Sequence, residues 1–183
     1  GKTLLHKAII AIIFALIMIV LYVAFAFRKI PKWVSPWRFG ATAIVALVHD
    51  VIIVTGVFVI LGQFLDVEIN ALFITAMLTV FGYSVNDTIV VFDKLRENLL
   101  HASNPDIEVI ANKALNETLT RSLNTSASTL LALLAILFFG SPTIFYFVLA
   151  LTIGTVIGTY SSIFTATPLL VWWHNKKKVK QSE

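Results

Sequence analysis

Five runs of about 20 apolar residues dominate this chain and leave it few folds to choose from. They lie at 8–27, 39–61, 71–92, 122–139 and 144–173. Each is long enough to cross a bilayer as a helix, and in lipid a helix satisfies its own backbone hydrogen bonds. Only 13% of the residues are charged, against about 25% in soluble domains. The fold class expected is therefore an all-α integral membrane protein, one transmembrane domain over 1–183 with five spanning helices. There is no cysteine, which removes disulfides and thiolate metal sites.

Orientation follows from the basic residues. Every Lys and Arg except Lys2 and Lys7 falls in three segments. Arg28, Lys29, Lys32 and Arg38 follow the first run; Lys94, Arg96, Lys113 and Arg121 lie between the third and fourth; Lys176, Lys177, Lys178 and Lys180 end the chain. Alternate connections thus share one basic side, which the positive-inside rule places in the cytoplasm. The N-terminus is then outside and the C-terminus cytoplasmic. An outside N-terminus, a first residue other than Met and a first run too long for a signal-peptide core lead us to expect a further span upstream. The net charge of +4 does not point to nucleic acid, because the basic residues flank apolar runs. Residues 105–120 read as a short amphipathic helix along the cytoplasmic surface. Asn104 and Pro105 would be its cap and first position, with Ile107, Ile110, Ala111, Ala114, Leu115 and Thr118 at helical spacing.

The residues that could carry chemistry are the polar ones inside the runs. Asp87 follows Asn86 in the third. At about 1.5 Å per residue it lies about 9 Å inside the boundary marked by Asp93. A charge at that depth costs several kcal/mol unless it is paired, hydrated or protonated. Burial and a nearby cation pull its proton affinity in opposite directions, a property proton relays use. Arg121 opens the fourth run at the same end and is its expected partner. Thr125 and Ser128 share the Arg121 face, and Thr118, Ser122, Ser126 and Thr129 form a neighbouring stripe. His49 and Asp50 sit mid-way along the second run. Adjacent helical residues point about 100° apart, so the two are not expected to face one partner. The residues alone leave proton transfer and static pairing both open. Gly154 and Gly158 form a GxxxG, which permits close helix approach. There is no HExxH, GxGxxG or phosphate-binding loop and no carbonyl-lined filter, so neither an enzyme nor a channel is expected.

Four segments together carry a resemblance. GYSVNDTIVVFDKLREN (82–98), VHDVIIVTG (48–56), ALNETLTRSLNTSASTLLA (114–132) and LTIGTVIGTYSSIFTATPLLVW (151–172) are similar, in order, to the SecD/SecF family of protein-export membrane proteins, within the resistance-nodulation-division superfamily. Lys94 stands where that signature more often has Arg. The resemblance implies a SecF-like arrangement of which this chain holds spans two to six, without the first span and an extracytoplasmic domain. It implies protein export through the Sec translocon of the bacterial cytoplasmic (inner) membrane, coupled to the proton motive force. Asp87 and Arg121 would be the proton-relay residues, with Asn86, His49, Asp50 and Thr125 as supporting polar groups. The implied partners are SecD, the SecYEG channel, YajC, the unfolded polypeptide in transit and the bilayer; no metal and no cofactor beyond the proton gradient are implied. Two other readings remain: a structural translocon subunit without proton conduction, and a small-molecule exporter of the same superfamily.

Overall fold

The computed structural model describes residues 2–27, 34–102 and 106–182. Every regular element among them is helical. The order is α1 (Lys2–Ala26), α2 (Pro36–Leu65), α3 (Ala71–His101), α4 (Ile107–Phe139), a 3₁₀ turn (Pro142–Ile144), α5 (Phe145–Ser161), a π-helical turn (Ser162–Ala166) and α6 (Thr167–Ser182). Four stretches among the described residues are long and apolar enough to cross a membrane: Pro36–Leu65, Ala71–His101, Ile107–Phe139 and Pro142–Lys176. Within α1, Ile10–Val23 is a shorter apolar stretch.

The helix ends follow local chemistry. Pro36 starts α2, where its missing N–H costs nothing. Asp66 ends α2 in the left-handed region (φ 52°), a conformation that short polar side chains tolerate. Four residues later the Asn70 side chain accepts from the N–H groups of Leu72 (3.0 Å) and Phe73 (3.2 Å), capping α3. Asp106, not Asn104, caps α4, accepting from Glu108 N–H at 3.0 Å. Asn104, Pro105 and the cluster Arg28, Lys29 and Lys32 lie outside the described residues.

The segment expected to lie along the surface is instead the first part of α4, which runs unbroken for 33 residues. The physical reason is its apolar face. Ile110, Ala111 and Ala114 pack on Leu95 and Leu99 of α3 and Leu170 of α6, so that face serves the protein core rather than lipid.

α3 is the central helix and touches α1, α2, α4 and α5. Two apolar clusters stack along it. One joins Phe27, Phe39 and Phe92, with ring centroids 5.2 to 6.1 Å apart. The other joins Leu47, Val54, Phe58, Phe73, Phe81 and Val85. The buried polar residues of α2, α3, α4 and α5 form a layer between them.

Candidate functional site: a hydroxyl layer around two acids

The layer exists because α3 and α5 approach very closely. A Cβ placed on Gly154 would lie 2.2 Å from a methyl of Val80, and one on Gly158 would lie 3.0 Å from the Cβ of Ser84. The GxxxG is thus the packing face expected of it. The register continues one turn further. Val80 meets Gly154, Ser84 meets Gly158, and Asp87 meets Ser162. The two helices therefore run parallel, and one face of α5 supplies first glycines and then hydroxyls to α3.

Asp87 is buried and accepts from two hydroxyls. Ser122 of α4 donates to Oδ1 at 2.7 Å, and Ser162 donates to Oδ2 at 2.5 Å. The expected ion pair with Arg121 is not formed. Ser122 faces Asp87, and the residue before it must point about 100° away. Arg121 is exposed and lines a cavity of about 620 Å³ at the basic end of the bundle, with Tyr22, Asp93, Lys94, Glu97 and Glu117. Thr118 links cavity and layer: it also lines the cavity, one turn before Ser122.

Hydroxyls suit an acid that changes protonation state, because each is both donor and acceptor. With Asp87 ionised, Ser162 donates to it. With Asp87 protonated, the acid O–H can donate to Ser162 while the serine hydrogen turns to the carbonyl of Thr159, 3.0 Å away. A backbone N–H or an arginine could not reverse in this way.

Asp50 has a similar shell. It is completely buried, and Oδ2 accepts from Ser84 at 2.5 Å and Ser161 at 2.7 Å. Oδ1 lies 3.0 Å from His49 Nδ1. The two neighbours pair with each other, while Asp50 alone meets the serines of α3 and α5. Asp50 points into the bundle, and the imidazole folds back over it from a half-exposed position.

Of the expected supporting residues, Thr125 is exposed, and its carbonyl receives hydrogen bonds from Ser128 and Thr129 of its own helix. The buried stripe of α4 is Thr118, Ser122 and Ser126. Asn86 is exposed on the outer side of α3 and makes no hydrogen bond to another helix among the described residues. Sequence reasoning missed Ser84, Ser161 and Ser162, and a second tier in which Tyr83 donates to Ser126 (2.9 Å) and Ser126 meets Thr159 (2.6 Å). The available signal was TYSS (159–162), four hydroxyls in an apolar run directly after GxxxG.

A π turn begins at Ser162. Thr167 Oγ1 donates to the Ser162 carbonyl, five residues back, at 3.2 Å. Pro168 follows directly, and its missing N–H leaves the Phe164 carbonyl without its α-helical donor. Such turns concentrate at functional sites.

Comparison with known proteins places the chain in a family. Residues 1–176 match the family described as "Protein export membrane protein SecD/SecF, C-terminal". The "Protein translocase subunit SecF" of Thermobaculum terrenum is 53% identical over 176 residues, covering 96% of this chain and 55% of the relative. The SecF subunit of Synechocystis is 41% identical over 180 residues, covering 98% of this chain and 55% of the relative. The "Protein translocase subunit SecDF" of Thermus thermophilus is 40% identical over 182 residues, covering 100% of this chain and 23% of the relative. A solved structure described as SecDF in super-membrane-facing form superposes with a TM-score of 0.83 at 39% identity, covering 100% of this chain and 23% of that one. The chain spans about half the length of these SecF relatives. With its all-helical fold and membrane-length helices, this multi-pass membrane protein belongs to the SecD/SecF family of protein export membrane proteins.

Proposed function

We propose that this chain is the membrane part of a SecF-type subunit that assists protein export and is driven by protons passing through Asp87. The observation that carries the reading is the setting of that acid. Asp87 is buried in a spanning helix, has no Lys or Arg within ion-pair distance among the described residues, and is held by hydroxyls that accommodate both protonation states.

The orientation is the one the basic residues dictate, with the Arg121 cavity opening to the cytoplasm. A proton reaches Asp87 from outside, neutralises it and leaves into that cavity. Arg121 acts in the second half of this cycle. It directly precedes Ser122, so a turn of α4 about its axis exchanges a hydroxyl for a guanidinium at Asp87 and favours the ionised acid. α4 is suited to such a turn because only 11% of its apolar window is buried in the bundle. The resulting shift would act on extracytoplasmic parts of the complete protein, and through them on an unfolded polypeptide leaving the SecYEG channel.

SecD is the partner the outer face supports best. Thr75, Thr79, Gly82 and Asn86 form an exposed stripe along α3. The threonine hydroxyls satisfy themselves on carbonyls of their own helix. The Asn86 amide does not, and in hydrocarbon that is costly. A protein surface with polar groups at that depth, as SecD would provide, removes the cost. YajC would be peripheral to this face. The site of action is the bacterial cytoplasmic membrane, and no enzymatic step is involved.

The test is Asp87→Asn in the full-length protein. The amide keeps size and polarity, so the variant should assemble with SecD and lose proton-gradient-dependent export by more than about tenfold. Normal export would overturn the reading, and loss of the complex would favour a purely structural subunit.

A further inference from the structure

Asp50 is harder to explain than Asp87. It is completely buried, near the middle of α2. Its partner Ser84 precedes Asp87 by three residues on α3, about 4.5 Å along the helix axis. On the orientation proposed above, that displacement is towards the outside. A static role does not need an acid here. An asparagine would accept both serine hydroxyls on its carbonyl and donate its amide to a neutral His49 Nδ1. An acid is needed only if a proton comes and goes.

We propose that His49 and Asp50 form a second proton-binding site, coupled to Asp87 through the adjacent hydroxyls of Ser161 and Ser162. This rests on the reading of Asp87 as a proton carrier. The chemistry balances within the pair. The half-exposed imidazole accepts a proton at Nε2 and passes the one on Nδ1 to Asp50 Oδ1, 3.0 Å away. The histidine ends as the other neutral tautomer and the acid ends neutral.

The coupling lies in α5. Ser161 donates to Asp50 and Ser162 to Asp87. Each has a second acceptor in its own helix: the Gly158 carbonyl at 3.2 Å for Ser161 and the Thr159 carbonyl at 3.0 Å for Ser162. Protonation of either acid leaves a weaker acceptor than the carboxylate, so the carbonyl of its own helix competes better for each serine hydroxyl. The two serines are consecutive and lead into the π turn, so they share the backbone that must accommodate the change. Ser84 adds a second link, because it holds Asp50 from the helix that carries Asp87.

The groups facing this network are few. α2 contributes His49 and α3 contributes Asp87 and Tyr83, the latter bonded to Ser126. α5 and the π turn after it contribute the hydroxyls of Thr159, Ser161 and Ser162. α4 contributes Ser122 and Ser126, with Arg121 directed into the cavity. α1 has no acid, and its His and Lys residues, Lys2, His6 and Lys7, lie in its first turns.

The experiment is a pH titration of carboxyl stretching bands by infrared difference spectroscopy. It uses the full-length protein with its SecD partner in proteoliposomes, and the pH profile of proton-driven export is measured in parallel. The wild type should show separate titrating bands for Asp50 and Asp87. Asp50→Asn should remove one and move the midpoint of the other by about one pH unit, as interacting sites require. In a Ser161→Ala, Ser162→Ala background both bands should persist, and Asp50→Asn should move the Asp87 midpoint less, with only the Ser84 link left. His49→Gln, which keeps a hydrogen-bonding side chain beside Asp50, should broaden or shift the Asp50 band; it serves as the test if Asp50→Asn fails to assemble. A full set of bands and an unchanged pH profile in Asp50→Asn or His49→Gln would overturn the proposal. If Asp87→Asn removes its own band while the Asp50 and His49 variants change nothing, this inference falls and the proposed function stands. If no band responds to Asp87→Asn, both fall.

Discussion

The polar layer and the basic end of the bundle use the same residue types in opposite ways. In the layer, Asp50 and Asp87 are held by serine hydroxyls, and histidine is the only base in contact. At the end of α3, every acid has a cation. Lys94 reaches Glu97 at 2.9 Å and Glu117 at 3.8 Å, and Arg96 reaches Asp93 at 3.3 Å. The Glu97 hydrogen bond pushes the Lys94 ammonium above its ordinary range, and the same bond holds Glu97 below the ordinary carboxylate range. Those groups remain charged throughout the physiological window. A surface pair fixes charge, whereas a hydroxyl shell leaves the proton free to move. Under the proposed function, proton work falls to the layer and anchoring to the end.

The largest break in this comparison should come from the glycine that makes the layer possible. Gly154→Val places methyl groups where Val80 already sits, with even a Cβ only 2.2 Å from its side chain. Overpacking of this kind costs about 1–3 kcal/mol. It also moves Ser161 and Ser162 away from both acids. We expect a lower melting temperature together with loss of proton-driven export. Gly82→Val, on α3, has open space around its Cβ, so it should leave the isolated subunit's melting temperature unchanged. Equal thermal effects at the two glycines would remove the close approach from the account.

Ser122→Ala should have a smaller effect that sharpens the assignment of roles. It deletes one of the two hydroxyls on Asp87 without adding volume. Hydrogen bonds to charged groups contribute about 1.5–3 kcal/mol, so the pH profile of export should move by about one to two units, at 1.36 kcal/mol per unit. Thr125→Ala, one turn away but facing outward, should leave the profile in place. A shift from Thr125 and none from Ser122 would mean that α4 presents its other face in the working complex.

How much of this was legible beforehand depended on which force decided each feature. The membrane helices are written in long apolar runs, which nothing nearby overrides, and Asp87 and Asp50 stand out because acids are rare there. That Asp87 is held by hydroxyls and not by Arg121 was not legible. It depends on the rotation of α4, and the hydroxyl stripe containing Ser122 and Ser126 sets that rotation. Serine is too common in membrane helices for Ser161 and Ser162 to signal by themselves. Their role emerges only from the register of α5 on α3, which Gly154 and Gly158 fix through contacts with Val80 and Ser84. The unbroken α4 was hidden for a related reason. Its polar first half ended the apolar run, although Ile110, Ala111 and Ala114 had a core to pack on.

The smallest effect should be at the basic end of α3, and its pH dependence separates the two regions. Glu97 is depressed from its ordinary value of 4.5, so its contribution to stability is present above that pH and lost as the pH falls through the folded value. Lys94 is raised from 10.5, so its contribution is present below that pH and lost as the pH rises through the folded value. Between those limits the pair contributes a constant amount. Solvent exposure keeps that amount small, as for most surface ion pairs. Glu97→Gln should therefore change the melting temperature slightly at neutral pH and not at all in acid, where wild-type Glu97 is itself neutral. The pH profile of export between about 5 and 9 should be unchanged, because neither partner titrates there. If Glu97→Gln displaces that profile as far as Ser122→Ala does, the ion pairs at the end of α3 take part in proton release, and the proposed division between anchoring end and proton-carrying layer does not hold.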